Sequence, residues 1–430
     1  MKERMNMKLR TLILAISLVF GVSTSLFAQP AAVKKAADAA FTLTTFKADG
    51  SILATSNGVC ISTDGIAVSP WKPFIGADKA VIVDSKGQEH DVECLLGANE
   101  IYDIAKFQVS GKTAAAPLAT TVSAGDEVWL TPILKSGNAE KANVTSVEKF
   151  MDRYNYAILS SSATDKMNGV PVFDKKGQVI GLYNKSGDSQ SSTDANYAKD
   201  FVLKGLSQND ITLRQSDIRI GLPNTLEEAV VALMLSSEKP ANIHEAIVNE
   251  FITKFPQSND GYYALANIQI AKGEVANADK TMQTAIGKVT AKDEAHYNFA
   301  RLIYRNAFIP EFEEKAKAIG WTLDKALDEI QKAQSAKAND AYRHLQAQIT
   351  YAKGDYAKAY TDFEALTKTK FNNPELYLEM AQSRQHLGGT DQEILDLLNK
   401  SIELCDTPYV STSAPYFYTR GQQLEKMGEY

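Results

Sequence analysis

The texture of this sequence changes once, near residue 220, and that change limits the fold to two kinds of structure joined end to end. Over residues 41–201 short β-rich runs such as GVCI (58–61), AVIV (80–83), VWL (128–130), VPVF (170–173) and VIGLY (179–183) follow one another. Turn residues break them: TDG at 63–65, DSKG at 84–87 and DKKG at 174–177. Many short strands with no helical period between them indicate an antiparallel barrel or sandwich. After Leu222 the pattern is helix after helix to the end. A chain of 430 residues is too long for one compact core, so two domains, or a domain and an array, are expected.

The beginning of the chain speaks for export. Lys2, Arg4, Lys8 and Arg10 form a basic head, LILAISLVFGV (12–22) a short apolar middle, and small and polar residues lead to Ala28. That pattern is a secretory signal peptide over residues 1–28, with cleavage expected after Ala28. The apolar run is shorter than the roughly 20 residues a permanent span needs, and no later stretch approaches that length. The mature chain is therefore expected to be exported, periplasmic or extracellular, with no transmembrane segment. The whole chain has 46 Lys and Arg against 52 Asp and Glu; removing four and one with the leader leaves 42 and 51, a net charge of −9. An acidic chain without a Lys/Arg block excludes a nucleic-acid partner, whose phosphates require clustered positive charge. Cys60, Cys94 and Cys405 are too few for a disulfide framework, and no pair has zinc-site spacing. One Cys60–Cys94 bridge stays open as an alternative to free buried thiols. No metal and no cofactor is expected.

Three segments of the first half carry a resemblance. SNGVCISTDGIAVSPWKPFIGADKAVIV (56–83) resembles the opening of the HtrA-like branch of trypsin-like serine proteases, where a GSGFIIS-type strand and a TNNHVV-type stretch precede GADK. LLGANEIYDIAKFQV (95–109) resembles that family's DPRTDLAVLKI stretch, and MNGVPVFDKKGQVIGLYN (167–184) its GNSGGPLFNLDGEVIGIN stretch. The order is the family's, and the resemblance implies a double β-barrel over residues 40–205. It also implies a disabled site. In register, Lys72 stands where the family keeps its histidine base, Asn168 where it keeps its serine, and Lys166 where it keeps an oxyanion-hole glycine. Of the catalytic triad only Asp103 matches.

An amide offers no useful nucleophile, a lysine acts as base only when burial lowers its pKa, and lysine is poorly suited to a left-handed oxyanion turn. Asp103 then reads as a strand-end carboxylate capping nearby backbone. The enzymatic alternative is a serine-type peptidase with a rearranged site, in which one of Ser160, Ser161 and Ser162 pairs with Lys72. His90 is the only histidine of the first half and sits in a polar stretch; the others fall in the helical half.

In the second half, Gly273, Gly354, Gly388 and Gly428 each follow a first helix, and Gly354 to Gly388 is a step of 34 residues. YYALANIQIAKGEVANADKTMQTAI (262–286), RHLQAQITYAKGDYAKAYTDFEAL (343–366) and YLEMAQSRQHLGGTDQEILDLLNKSI (377–402) share aromatic, Ala and Gly positions that resemble tetratricopeptide repeats. The small residues leave room for paired helices to approach closely. Repeats are expected near 225–256, 260–290, 293–337, 341–373 and 375–405, the third enlarged around 306–321, with a last, incomplete unit from about 415. A polar linker is expected at 206–224.

The resemblance implies an all-α solenoid that binds a protein or peptide. In this register Tyr263, Asn267, Tyr297, Arg301, Tyr304, Arg305, His344, Gln348, Tyr351 and Gln382 face the inner surface. Arginines there, in an acidic chain, point to an acidic or carboxylate-bearing peptide. The expected function is a non-catalytic scaffold: a pseudoprotease domain joined to a peptide-binding array.

Overall fold

The computed structural model describes residues 29–131, 133, 139–306, 309–310 and 313–429; the leader expected over residues 1–28 lies outside them. The chain divides into two compact units, Met1–Ile243 and His244–Tyr430.

The first unit contains two closed six-stranded antiparallel barrels, the trypsin-like double-barrel architecture. A short helix α1 (Ala31–Ala36) precedes β1 (Ala40–Phe46), β2 (Ile52–Cys60), β3 (Ile66–Ser69), β4 (Lys79–Asp84), β5 (Glu89–Asn99) and β6 (Ile104–Val109). These close in the order β1-β2-β3-β6-β5-β4, because β1 pairs with both β2 and β4. The second barrel comprises β7 (Glu127–Leu130), β8 (Glu140–Phe150), β9 (Tyr154–Ser160), β10 (Pro171–Asp174), β11 (Val179–Ser186) and β12 (Ser189–Thr193), followed by α2 (Ala195–Lys199). It closes as β10-β11-β12-β9-β8-β7. Closure leaves no sheet edge for another chain to pair with.

Alternation fills the first barrel with Phe41, Leu43, Ile82, Leu95 and Phe107, plugged at one end by Trp71 stacked on Phe74. Gly58 has to be glycine, since a Cβ there would lie 2.4 Å from the Phe41 ring. A second cluster joins Val59, Val68 and Ile104 of the first barrel to Trp129, Phe150, Phe173 and Tyr197 of the second. Cys60 and Cys94 are buried and are not joined in a disulfide, and burial pushes the Cys60 thiol up to about 11.

Residues 206–224, expected as a linker, wrap the first barrel. Leu213, Ile218 and Ile220 belong to its core, and Ile220 bridges in parallel to Leu95. Gly76 N–H donates to Gln215 O at 2.7 Å, and Leu95 N–H to Arg219 O at 2.8 Å. Of the polar residues between these anchors, Arg214 and Asp217 face water while Ser216 is buried and donates to Ala77 O at 3.0 Å, and the interrupted apolar pattern is why the stretch reads as a linker. Helix α3 (Leu226–Ser236) packs on the single turn Gly205–Asn209, with Gly205 N–H donating to Glu228, so the first helix of the repeat expected at 225–256 belongs to the barrel unit.

Helix α4 (Ala241–Lys254) spans the division, and helical pairs follow. They are α5 (Asn259–Ala271) with α6 (Val275–Lys288), α7 (Lys292–Asn306) with α9 (Leu323–Ala336), α10 (Asp340–Ala352) with α11 (Tyr356–Thr367), and α12 (Pro374–His386) with α13 (Asp391–Glu403). A short α8 (Glu313–Ala318) lies in the enlarged third unit, and α14 (Ala414–Met427) packs on α13. This is a helical solenoid. Buried Ala266, Ala278, Ala300, Ala326, Ala347, Ala359 and Ala381 mark where helices approach closely. Gly273, Gly354, Gly388 and Gly428 take left-handed backbone angles of 73–88° at the turns. Trp321 fills the space under the third unit and donates from Nε1 to Asp279 at 2.8 Å. Among the described residues no helix is long and apolar enough to cross a membrane.

The wrap around the first barrel generates a stability prediction. A fragment ending at residue 205 loses three core side chains, each contributing about 1.5–3 kcal/mol, and should be less stable to urea than one ending at residue 243 by at least roughly 4 kcal/mol. Equal midpoints would show that the segment contributes nothing to the barrel.

Candidate functional site

The barrel cleft assembles from the loop after β3, the β5–β6 turn and the loop before β10. Tyr102 stacks on Phe150 of the second barrel at 4.1 Å, fixing the turn, and Asp103 beside it adopts a left-handed φ of 46°. Short polar side chains tolerate that conformation better than most. Asp103 then serves the first barrel: Oδ1 accepts the backbone N–H of Lys72 at 2.8 Å, at the start of the turn Lys72–Phe74, and Oδ2 faces Lys72 Nζ at 3.4 Å. The Lys72 side chain is 72 % exposed and ion-paired, the opposite of the desolvated setting that turns lysine into a base.

Asn168 is equally committed. Its Oδ1 accepts the Lys185 N–H at 2.7 Å, its Nδ2 donates to Lys185 O at 3.3 Å, and its carbonyl accepts from Asn57 at 3.0 Å. The amide at this position, which would serve an oxyanion hole, instead donates to Asp165 O at 3.0 Å, closing the turn Asp165–Met167 that contains Lys166. Gly169 keeps the loop against the first barrel: its φ is 82°, and a Cβ would lie 2.5 Å from Asn57 O and 2.8 Å from Pro70. Asp103 and Asn168 thus have their side-chain polar groups engaged by backbone, and Lys72 is ion-paired to Asp103. Two of the three candidate serines are engaged: the Ser161 and Ser162 hydroxyls donate to Glu140 at 2.6 and 3.0 Å.

In the helical unit a half-open recess of about 110 Å³ lies between α7 and α10, lined by Tyr297, Arg301, Tyr304, Arg305, His344 and Gln348 with Ala341 and Leu345. Six inner-face residues named from the repeat register therefore share one recess. No carboxylate lines it, and among the described residues neither Arg301 nor Arg305 has an acidic partner. Arg301 lies over the Tyr263 ring at 5.8 Å, and Tyr297 stacks on Tyr342 at 4.9 Å.

The other named residues are elsewhere. Tyr263 supports Arg301 from beneath, and its buried hydroxyl has no partner among the described residues. Asn267 donates to Tyr263 O within its own helix. Tyr351 packs on Tyr356 and His386, and Gln382 does not line the recess.

Sequence reasoning missed Glu375 and Glu379. Glu379 accepts from Gln348 at 2.7 Å and pairs with His344 at 2.6 Å. Burial lifts the Glu379 carboxyl above its usual range. Burial pulls the His344 imidazole down, yet the bond to Glu379 and the charges of Glu379 and Glu375 outweigh it, so His344 shifts upward. Burial and the same carboxylates raise the Tyr304 phenol, which stays neutral. The repeat itself held the signal: positions 34 or 35 residues apart lie side by side, and Glu379 is 35 after His344. Comparison with protein-family models and with curated proteins finds no match.

The commitment of Asn168 to Lys185 generates two expectations. Asn168→Ala leaves a half-buried N–H unpaired and should destabilise the barrels by about 1–3 kcal/mol in urea titration. Asn168→Ser should hydrolyse neither casein nor peptide esters above background, because neither base nor oxyanion donor is restored. Turnover by that single variant would show a latent intact site.

Proposed function

We propose that this chain is an exported, non-catalytic binding protein: a pseudoprotease resembling the HtrA-like trypsin fold, joined to tetratricopeptide-like repeats that hold an acidic peptide segment. The observation that carries the reading is the recess between α7 and α10, where Arg301 and Arg305 lie among tyrosines and, among the described residues, have no ion-paired carboxylate. Guanidinium groups recognise carboxylates through two parallel hydrogen bonds, and a partly enclosed site strengthens them. Tyrosines beside them supply contact area at small entropic cost, the composition typical of binding hot spots. Against catalysis stand the exposed, ion-paired Lys72, the Asn168 amide bonded to Asp165, and serine hydroxyls directed at Glu140. An overall acidic protein repels acidic ligands at long range, so affinity rests on local contacts.

Fluorescence anisotropy with labelled peptides of matched length tests this. Glu/Asp-rich peptides should bind saturably, Lys-rich ones should not, and raising salt should weaken binding. Arg301→Ala with Arg305→Ala should weaken it by about 2 kcal/mol or more, roughly thirtyfold, with circular dichroism unchanged. Equal affinity for both peptide classes, or no loss in the double variant, contradicts the reading. Labelling of a serine by a fluorophosphonate probe would favour the peptidase alternative instead.

A further inference from the structure

Glu375 and Glu379 stand one turn apart on α12, so their carboxylates leave the same face of that helix. That face meets His344 of α10, and one ligand atom from each of the three residues lies within 4.8 Å of the others. His344 is 8 % exposed, and its ring is held by Phe363 and Phe371 at 5.9 and 5.3 Å. Packing therefore fixes Nε2 toward Glu379 Oε2, 2.6 Å away. Gln348 donates to the other oxygen, Oε1, at 2.7 Å, which orients the carboxylate with Oε2 inward. Glu375 has no ion-pair partner or hydrogen-bonded side chain among the described residues and is exposed enough to swing.

We propose that His344, Glu375 and Glu379 bind a divalent transition-metal ion of the zinc class, with its fourth position open toward the recess that His344 and Gln348 line. One imidazole and two carboxylates form a nitrogen–oxygen donor set of the kind such ions accept; hard cations such as Ca²⁺ and Mg²⁺ prefer oxygen alone, and a soft cuprous ion prefers sulfur. Three protein ligands leave one position of a tetrahedral ion for solvent or an incoming group. The charges agree, since two carboxylates beside one imidazole leave an excess of negative charge in a half-buried place, and a dication removes it. Zinc–ligand bonds of about 2.0–2.2 Å place tetrahedral ligand atoms roughly 3.3–3.5 Å apart. The His344–Glu379 contact thus opens by less than about 1 Å when the ion replaces the shared proton. Gln348, bonded to the non-ligating oxygen of Glu379, acts as a positioning residue for the ligand. From sequence the site offers only Glu375 and Glu379 at a one-turn spacing, since the imidazole comes from another repeat.

The test is a titration of the metal-stripped mature chain with Zn²⁺ alone, in competition with a chromogenic chelator. It contains no peptide, so its outcome is independent of the peptide reading. One equivalent should bind. Glu375→Gln, at an exposed position that leaves the fold intact, should weaken it at least tenfold, and His344→Gln with Glu379→Gln at least a hundredfold. Gln348→Ala should cost about tenfold through ligand orientation alone. X-ray absorption should show one imidazole nitrogen with oxygen neighbours. The proposal is overturned if the wild type shows no saturable single equivalent, if Glu375→Gln binds unchanged, or if sulfur appears in the coordination shell.

Discussion

Close approach between helices, permitted by fully buried alanines, is the constraint on which the helical unit depends. Ala266, Ala278, Ala300, Ala326, Ala347 and Ala359 have no exposed surface, and any larger side chain at these points would push helices apart. Tight stacking sets the first helix of each unit beside the first helix of the next, with a longer sequence step across the enlarged third unit. That is how Arg301 and Arg305 of α7 come to share a recess with His344 and Gln348 of α10, and how His344 meets Glu379 of α12. The enlarged third unit does not disturb this order, because Trp321 and Ala316 fill the space the insertion would otherwise leave open.

In the barrel unit, the side chains of Asp103 and Asn168 hold neighbouring backbone. Asp103 holds the backbone of Lys72, and Asn168 clamps the backbone of Lys185 from both sides of its amide. An asparagine can do this where serine cannot, since it presents a donor and an acceptor in one plane to an N–H and a C=O of the facing strand. These paired bonds hold the loop before β10 against β11. The loops of the two barrels are tied together here, since Asn57 donates to the Asn168 carbonyl at 3.0 Å.

Much of the fold was legible in the sequence because both halves repeat simple rules. Strand runs broken by TDG, DSKG and DKKG turns marked the barrels, and glycines after each first helix marked the solenoid. The inner-face register brought out Tyr297, Arg301, Tyr304, Arg305, His344 and Gln348, which share the recess, because helical period fixes which side a residue faces. Residues 206–224 misled for the same physical reason that loops do: Leu213, Ile218 and Ile220 are single apolar anchors separated by polar residues, with no period to show that they are buried. Tyr351 was assigned to the inner face by period alone, yet its ring is taken up by Tyr356 at the start of α11 and His386 at the end of α12. Glu375 and Glu379 escaped notice because a glutamate on a helix ordinarily reads as a solvated face, and only the partner repeat reveals Glu379 as half-buried.

The central claim is that recognition resides in the helical unit and that the barrel cleft is closed chemistry. Hydrogen–deuterium exchange of the full mature chain, with and without a saturating acidic peptide, tests it most directly because it reports every segment at once. The account predicts added protection in α7 and α10, around residues 292–306 and 340–352, with the barrel segments around Lys72, Asp103 and Asn168 unchanged. Protection confined to those barrel segments, with α7 and α10 unaffected, would contradict it.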